Sequence, residues 1–213
     1  MMKTGILWDL DGTLLDTLED LASAVNYAMD QYGYPNRTLA EVRSFLGNGA
    51  RQLIALSAPE TANVDAVLKT FRDYYDGHCQ IKTGPYDGIM EALEVLGKKY
   101  PMAVVSNKPD PAVKSLCAQY FPALYARGES ADCPRKPAPD MVFKAMEAIG
   151  VERCIYVGDS EVDVMTAQNA GMPCLSVLWG FRDREEIEAA GGIYFCEKTA
   201  ELIEKLEELC NGK

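Results

Sequence analysis

The sequence predicts an α/β fold, a doubly wound, mostly parallel sheet with helices on both faces, interrupted by an inserted all-helical segment. Three observations predict it. Short apolar runs alternate with amphipathic segments over most of the chain, as strands joined by crossover helices do. Each run ends in polar or glycine residues. Between Asp16 and about Lys82 the alternation stops, and helical patterns with start and stop signals replace it.

The runs are Gly5-Ile6-Leu7-Trp8 into Asp9, Met102 to Val105 into Ser106-Asn107, Cys154 to Val157 into Gly158-Asp159, and Pro173 to Leu178 into Trp179-Gly180. A weaker one, Gly192 to Cys196, follows. Amphipathic stretches at roughly 87–98, 110–120, 138–149, 161–170, 183–190 and 199–210 read as the helices between and after them. In the insertion, Asp16-Thr17-Leu18-Glu19 resembles a capping box whose helix ends at Gly33. Thr38-Leu39-Ala40-Glu41 is a second, with Gly47 as its stop. Residues 50–58 and 64–75 supply two more helices. The expected organisation is a core from residues 1–15 and 83–213 and a helical cap domain from 16–82, with hinges at Leu14 to Thr17 and Gly84 to Gly88.

Composition narrows the functions. With 48% apolar residues in 213, the chain can build a substantial core. No apolar run approaches the ~20 residues of a membrane span, and no charged-then-apolar leader precedes the first strand, so a cytoplasmic protein without a membrane partner is expected. A net charge of −11 argues against nucleic-acid binding, which depends on neutralising phosphates with Lys and Arg. Seven scattered cysteines with no Cys-x-x-Cys pair read as reduced thiols. The single histidine, His78, stands in no motif, which excludes most zinc hydrolase sites and leaves a Ser-His-Asp triad without support. An acidic protein acting on an anionic substrate must concentrate positive charge locally, from a metal ion, a lysine or backbone N–H groups.

The strand ends supply all three. Ligands of open parallel sheets sit beyond the carboxyl ends of the strands. There the sequence puts Asp9 and Asp11, Ser106 and Asn107, and Asp159. Two carboxylates at i and i+2 of an extended segment point to one side, and Gly12 permits a tight turn behind them. Their repulsion, with Asp159 as a third carboxylate, makes a hard-cation site of the Mg²⁺ type the expected resolution. Ser106 can hydrogen-bond a phosphoryl oxygen, and Lys136, in Arg135-Lys136-Pro137-Ala138-Pro139, can place a compact ammonium beside it.

Four elements in this order resemble the motifs of the haloacid dehalogenase-like hydrolase superfamily. They are Asp9-Leu10-Asp11-Gly12-Thr13, Ser106-Asn107-Lys108-Pro109, Lys136-Pro137-Ala138-Pro139 and Gly158-Asp159-Ser160-Glu161-Val162-Asp163. The resemblance covers nearly the whole chain and implies a Rossmann-like core. It implies that Asp9 is the nucleophile of an aspartyl-phosphate and Asp11 the general acid and base. Asp9, the main-chain carbonyl of Asp11 and Asp159 would hold Mg²⁺, with Asp163 in or just behind that shell. Thr13, Ser106, Asn107 and Lys136 would bind the phosphoryl group.

Because dehalogenases of the superfamily lack the acidic pair, Asp11 and Asp159 imply a phosphatase. The position of the cap resembles that of phosphoglycolate phosphatases and their pyrophosphatase-like relatives. Leu46 to Arg51 resembles a cap loop that reaches substrate, which makes Asn48, Gly49 and Arg51 the cap residues to watch. Leu21 stands where mutases of the superfamily carry a histidine, and no lysine lies between Leu14 and Leu46 for a Schiff base. The expected partner is a small phosphorylated metabolite, phosphoglycolate first, with pyrophosphate, nucleoside monophosphates and sugar phosphates behind it. The expected assembly is a monomer or homodimer. A phospho-accepting receiver module is the rival from another class, but it is shorter and has no insertion after its first strand.

Overall fold

A computed structural model describes residues 3–212. In chain order its elements are β1 (Thr4–Trp8), β2 (Leu15–Asp16), α1 (Leu18–Gln31), α2 (Leu39–Phe45), α3 (Gly49–Ser57), α4 (Val64–His78), β3 (Gly84–Pro85), α5 (Ile89–Gly97) and β4 (Met102–Pro109). Then come α6 (Asp110–Tyr120), β5 (Tyr125–Glu129), α7 (Asp140–Ile149), β6 (Arg153–Gly158), α8 (Glu161–Ala170), β7 (Cys174–Val177), α9 (Arg184–Ala189), β8 (Tyr194–Cys196) and α10 (Leu202–Cys210). The described chain divides into two compact units, one running up to Leu15 and from Pro85 onward, the other Asp16–Gly84.

The first unit is built on a parallel sheet of order β5-β4-β1-β6-β7-β8. The period of two along β1 sends Ile6 and Trp8 to one face and Leu7 to the other. On the Ile6 face the sheet packs against Ile89, Leu93 and Leu96 of α5, Val113 and Leu116 of α6, and Leu202 and Leu206 of α10. On the Leu7 face it packs against Met141, Val142 and Ala145 of α7, Val164 and Ala167 of α8, and Ile187 of α9. Helices therefore cover both faces, and the near-continuous apolar character of β1, β4 and β6 follows from burial on two sides. β1 lies between β4 and β6, so the strand order reverses beside it and a crevice opens at their carboxyl ends.

The sheet corrects the sequence reading in two places. β5, Tyr125-Ala126-Arg127-Gly128-Glu129, forms an edge strand that had no apolar run to announce it, because of its five residues only Gly128 is buried. β4 continues past Val105 to Pro109, with a register shift against β5 between those residues. Ser106, Asn107 and Lys108 are thus part of an extended segment and are held by it.

The second unit is helical, α1 to α4. Thr38 and Glu41 form the reciprocal capping box that their spacing suggests. The expected box at Asp16 is different: Thr17 is the cap residue, it makes no side-chain capping bond, and Asp16 Oδ1 instead accepts from Leu18 N–H at 3.2 Å. The buried Asp20 carboxylate closes the unit by accepting the N–H groups of Ile81, Lys82 and Thr83 at 2.9 to 3.1 Å. His78 stacks on Tyr74, which stacks on Tyr27.

None of the seven cysteines forms a disulfide, and burial pushes the Cys117 and Cys154 thiols up to about 12, so both pack as apolar side chains. Among the described residues no helix is long and apolar enough to cross a membrane.

Candidate active site

At the end of β1 the Asp9 N–H donates to Val157 O of β6, carrying the sheet pairing one residue past Trp8 before the chain turns. The turn is closed by Gly12 N–H donating to Leu15 O. Gly12 has φ +83°, and a side chain there would collide with the Asp159 carboxylate, so glycine is required both for the conformation and for the approach of the two segments.

This turn sends the two aspartates to different partners. Asp9 Oδ1 accepts from Leu10 N–H at 2.7 Å and lies 2.9 Å from Lys136 Nζ. Asp11 Oδ1 accepts from Lys108 Nζ at 2.9 Å. The extended geometry that would have aligned them ends at Trp8.

Lys136 is the centre of the charged cluster. Its side chain is 2% exposed, and Nζ lies 2.8 Å from Asp163 Oδ1 and 3.2 Å from the Tyr156 hydroxyl, which itself donates to Val105 O. Asn107 fixes the lysine's main chain from both sides: Nδ2 donates to Lys136 O at 3.1 Å and Oδ1 accepts from Lys136 N–H at 2.8 Å. Asn107, expected at the phosphoryl group, thus also supports Lys136. Ser106 is buried, and its Oγ accepts from Lys108 N–H, which leaves its proton to donate.

Asp159, at the end of β6, accepts from Thr13 Oγ1 at 2.9 Å through Oδ1 and from Phe181 N–H at 2.7 Å through Oδ2. The hydroxyl of Thr13, a residue expected at the phosphoryl group, thus also orients a carboxylate, and the Thr13 carbonyl accepts the Trp179 indole N–H at 3.1 Å. Asp163 caps α8: its Oδ2 accepts from Ser160 Oγ and from the N–H groups of Asp159 and Ser160, while Oδ1 faces Lys136. Asp163 thus caps the helix with one oxygen and faces Lys136 with the other.

Asp9, Asp159 and Asp163 each offer an oxygen within 4.8 Å of the others, and all three are buried. Burial, opposed by Lys136 and reinforced by Asp163 and Asp11, raises Asp9 from its ordinary 3.8 to about 7. Burial, with Asp163 and Asp9 adding to it, also holds Asp159 well above the carboxylate range. Burial disfavours the charge on Lys136, yet Asp163 and Asp9 outweigh it and hold the ammonium well above an ordinary lysine. Carboxylates crowded and desolvated in this way fit a hard divalent cation. The Asp11 carboxylate stands apart from that set.

Two site residues are not evident from the sequence: Lys108, which stands in a motif with no role assigned to it, and Tyr156, an aromatic inside an apolar run. The signal for Lys108 is its spacing, two residues beyond Ser106 on an extended segment and so on the same side. Asn48, Gly49 and Arg51 lie in the helical unit. Asn48 precedes α3, Gly49 opens it with φ +77°, and exposed Arg51 pairs with Asp65 of α4.

The sequence pattern described as Haloacid dehalogenase-like hydrolase matches residues 6–177. A phosphoglycolate phosphatase of Vibrio parahaemolyticus is 31% identical, over 93% of this chain and 94% of its own. One of Mesorhizobium japonicum is 32% identical, over 97% of each. A crystal structure from Lactobacillus delbrueckii subsp. bulgaricus, provisionally named a phosphoglycolate phosphatase, superposes with a TM-score of 0.90 at 36% identity, covering 97% of this chain and 99% of that one. With a matching pattern over most of its length and a core of the same architecture, this chain belongs to the haloacid dehalogenase-like hydrolase family.

Proposed function

We propose that this phosphatase hydrolyses a small phosphate monoester, phosphoglycolate first among them, in two steps through an aspartyl-phosphate on Asp9. The observation that carries the reading is the Asp9 carboxylate itself: buried, held by Lys136 at 2.9 Å, and clustered with Asp159 and Asp163. Its Oδ1 takes both the Leu10 N–H and the Lys136 ammonium, which fixes the carboxylate plane and leaves Oδ2 for bond formation. In the first step an Asp9 oxygen bonds to phosphorus as the ester bond breaks, and Asp11 protonates the departing oxygen. In the second, Asp11 takes a proton from water, the water oxygen bonds to phosphorus, and Asp9 is released with inorganic phosphate.

Ser106 donates its free hydroxyl proton to a phosphoryl oxygen, and Lys136 offsets the charge that builds there. Asn107 and Thr13 serve this chemistry one step removed, by holding Lys136 and Asp159. Asp9, Asp159 and the main-chain carbonyl of Asp11 are the groups to hold Mg²⁺, with Asp163 in or directly behind that shell. Ionised, the clustered Asp9, Asp159 and Asp163 outnumber the single ammonium of Lys136 by two charges, which one divalent cation cancels. What the ion supplies when bound is neutralisation of charge on the transferring phosphoryl group.

Choice among esters is assigned to the helical insertion acting as a cap, with Asn48, Gly49 and Arg51 offered to the far end of the substrate. Phosphoglycolate leads because the relatives that match over most of their length carry that name and because Arg51 suits a carboxylate. The test is steady-state kinetics with Mg²⁺ over phosphoglycolate, pyrophosphate, nucleoside monophosphates, sugar phosphates and p-nitrophenyl phosphate. Turnover that requires Mg²⁺, disappears in Asp9→Asn and is fastest in kcat/KM for phosphoglycolate is expected. Persistent turnover by Asp9→Asn would remove the nucleophile; a phosphoglycolate value no better than that for p-nitrophenyl phosphate would remove the substrate.

A further inference from the structure

A second buried lysine stands in the site besides Lys136. The Lys108 side chain is 4% exposed, and its Nζ lies 2.9 Å from Oδ1 of Asp11, whose side chain is 19% exposed. The lysine is anchored at its base as well. Ser106 Oγ accepts its N–H at 3.2 Å, and β5 presses against its carbonyl at Gly128, where any side chain would collide with Lys108 O. A lysine stem ordinarily has wide rotamer freedom; this one is confined by burial and fixed at both ends. Asp11 sits in the turn beyond β1 rather than in the strand, so the sheet does not fix its side chain.

The two lysines divide the two aspartates, Lys136 taking Asp9 and Lys108 taking Asp11. We infer that Lys108 is the positioning residue for Asp11, its ammonium holding the acid–base carboxylate apart from the Asp9, Asp159 and Asp163 cluster and at one fixed place. This rests on the two-step reading given above. In that reaction Asp11 delivers a proton to the leaving oxygen and later takes one from water, and a misplacement of about 1 Å in such a group costs on the order of 100-fold in rate. A lysine that instead gripped the phosphoryl group, or only filled space, would act without reference to Asp11.

The inference is tested with the full chain and Mg²⁺, comparing Lys108→Met, Asp11→Asn and the double variant. Two substrates are needed: an alkyl ester such as phosphoglycolate or glycerol phosphate, whose leaving oxygen needs an acid, and p-nitrophenyl phosphate, whose leaving oxygen does not. kcat/KM is the quantity to compare, because it reports only the steps through transfer to Asp9. Lys108→Met is expected to lose about 100-fold on the alkyl ester and no more than about threefold on p-nitrophenyl phosphate. In the Asp11→Asn background, adding Lys108→Met is expected to change neither value by more than about threefold, since the two act as one unit.

Equal losses on both esters, or losses that multiply in the double variant, would overturn the inference. Lys108→Gln, which keeps one donor, should recover part of the alkyl-ester rate, and it carries the same comparison if the methionine variant does not fold. Failure of the underlying reading looks different: wild-type chain inactive on every ester, or Asp9→Asn active, would remove both.

Discussion

Replacing Lys136 with methionine keeps the length of the stem and deletes the charge at the centre of the site. Its ammonium lies 2.9 Å from Asp9 and 2.8 Å from Asp163, and the lysine side chain is 2% exposed. Breaking one buried ion pair by removing a partner costs about 3 to 5 kcal/mol. The two pairs share one cation and protonation of Asp9 relieves part of the loss, so about 4 kcal/mol at pH 8 is the expected total. At roughly 3 °C per kcal/mol for a chain of this size, the melting temperature should fall by about 12 °C.

The direction with pH follows from Asp9, whose folded value of about 7 stands above its ordinary 3.8. Between those values the folded protein holds more protons than the unfolded one, so stability falls as pH rises through the window. Without Lys136 the folded value climbs further and the fall extends to higher pH. The penalty of Lys136→Met must therefore be larger at pH 8 than at pH 5. Melting curves followed by circular dichroism at both pH values, without metal, measure it. A loss below about 1 kcal/mol at pH 8, the level of an exposed ion pair, or a larger loss at pH 5, would refute the reasoning.

Three further outcomes are expected. Mg²⁺ should raise the melting temperature more at pH 8 than at pH 5.5, because protons compete for Asp9 and Asp159, both raised by burial; equal shifts would contradict the carboxylate site. Asp20→Ala strands three N–H groups in the helical unit and should cost about 3 kcal/mol, with faster amide exchange at residues 81–83; unchanged exchange there would count against the anchor. Gly180→Ala drives a methyl group into Asp159. It should weaken Mg²⁺ binding, read by titration of Trp179 fluorescence, and cost about 1 to 3 kcal/mol of stability; an unaltered titration would mean that the loop yields.

The sequence made the strands that are buried on both faces legible, because β1, β4 and β6 need apolar residues throughout, and it made their ends legible, because charged groups there have no packing reason to exist. β5 was invisible, since an edge strand half in water is not obliged to be apolar. Within the site, Asp9, Lys136, Asp159 and Asp163 come together as their motifs suggested. Residue type alone did not say who touches whom. Thr13 and Asn107 are expected at the phosphoryl group, and their side chains also hold a neighbouring carboxylate and main chain, contacts that residue type does not announce. Lys108 is hidden because its partner Asp11 is 97 residues away in sequence.

The account depends most directly on a bond between Asp9 and phosphorus. Rapid acid quench during turnover of an ester radiolabelled at phosphorus, followed by borohydride reduction and peptide mapping, reads it. Label and reduction are predicted at Asp9, and neither in Asp9→Asn. Turnover with no covalent label, or label on another residue, would contradict the account.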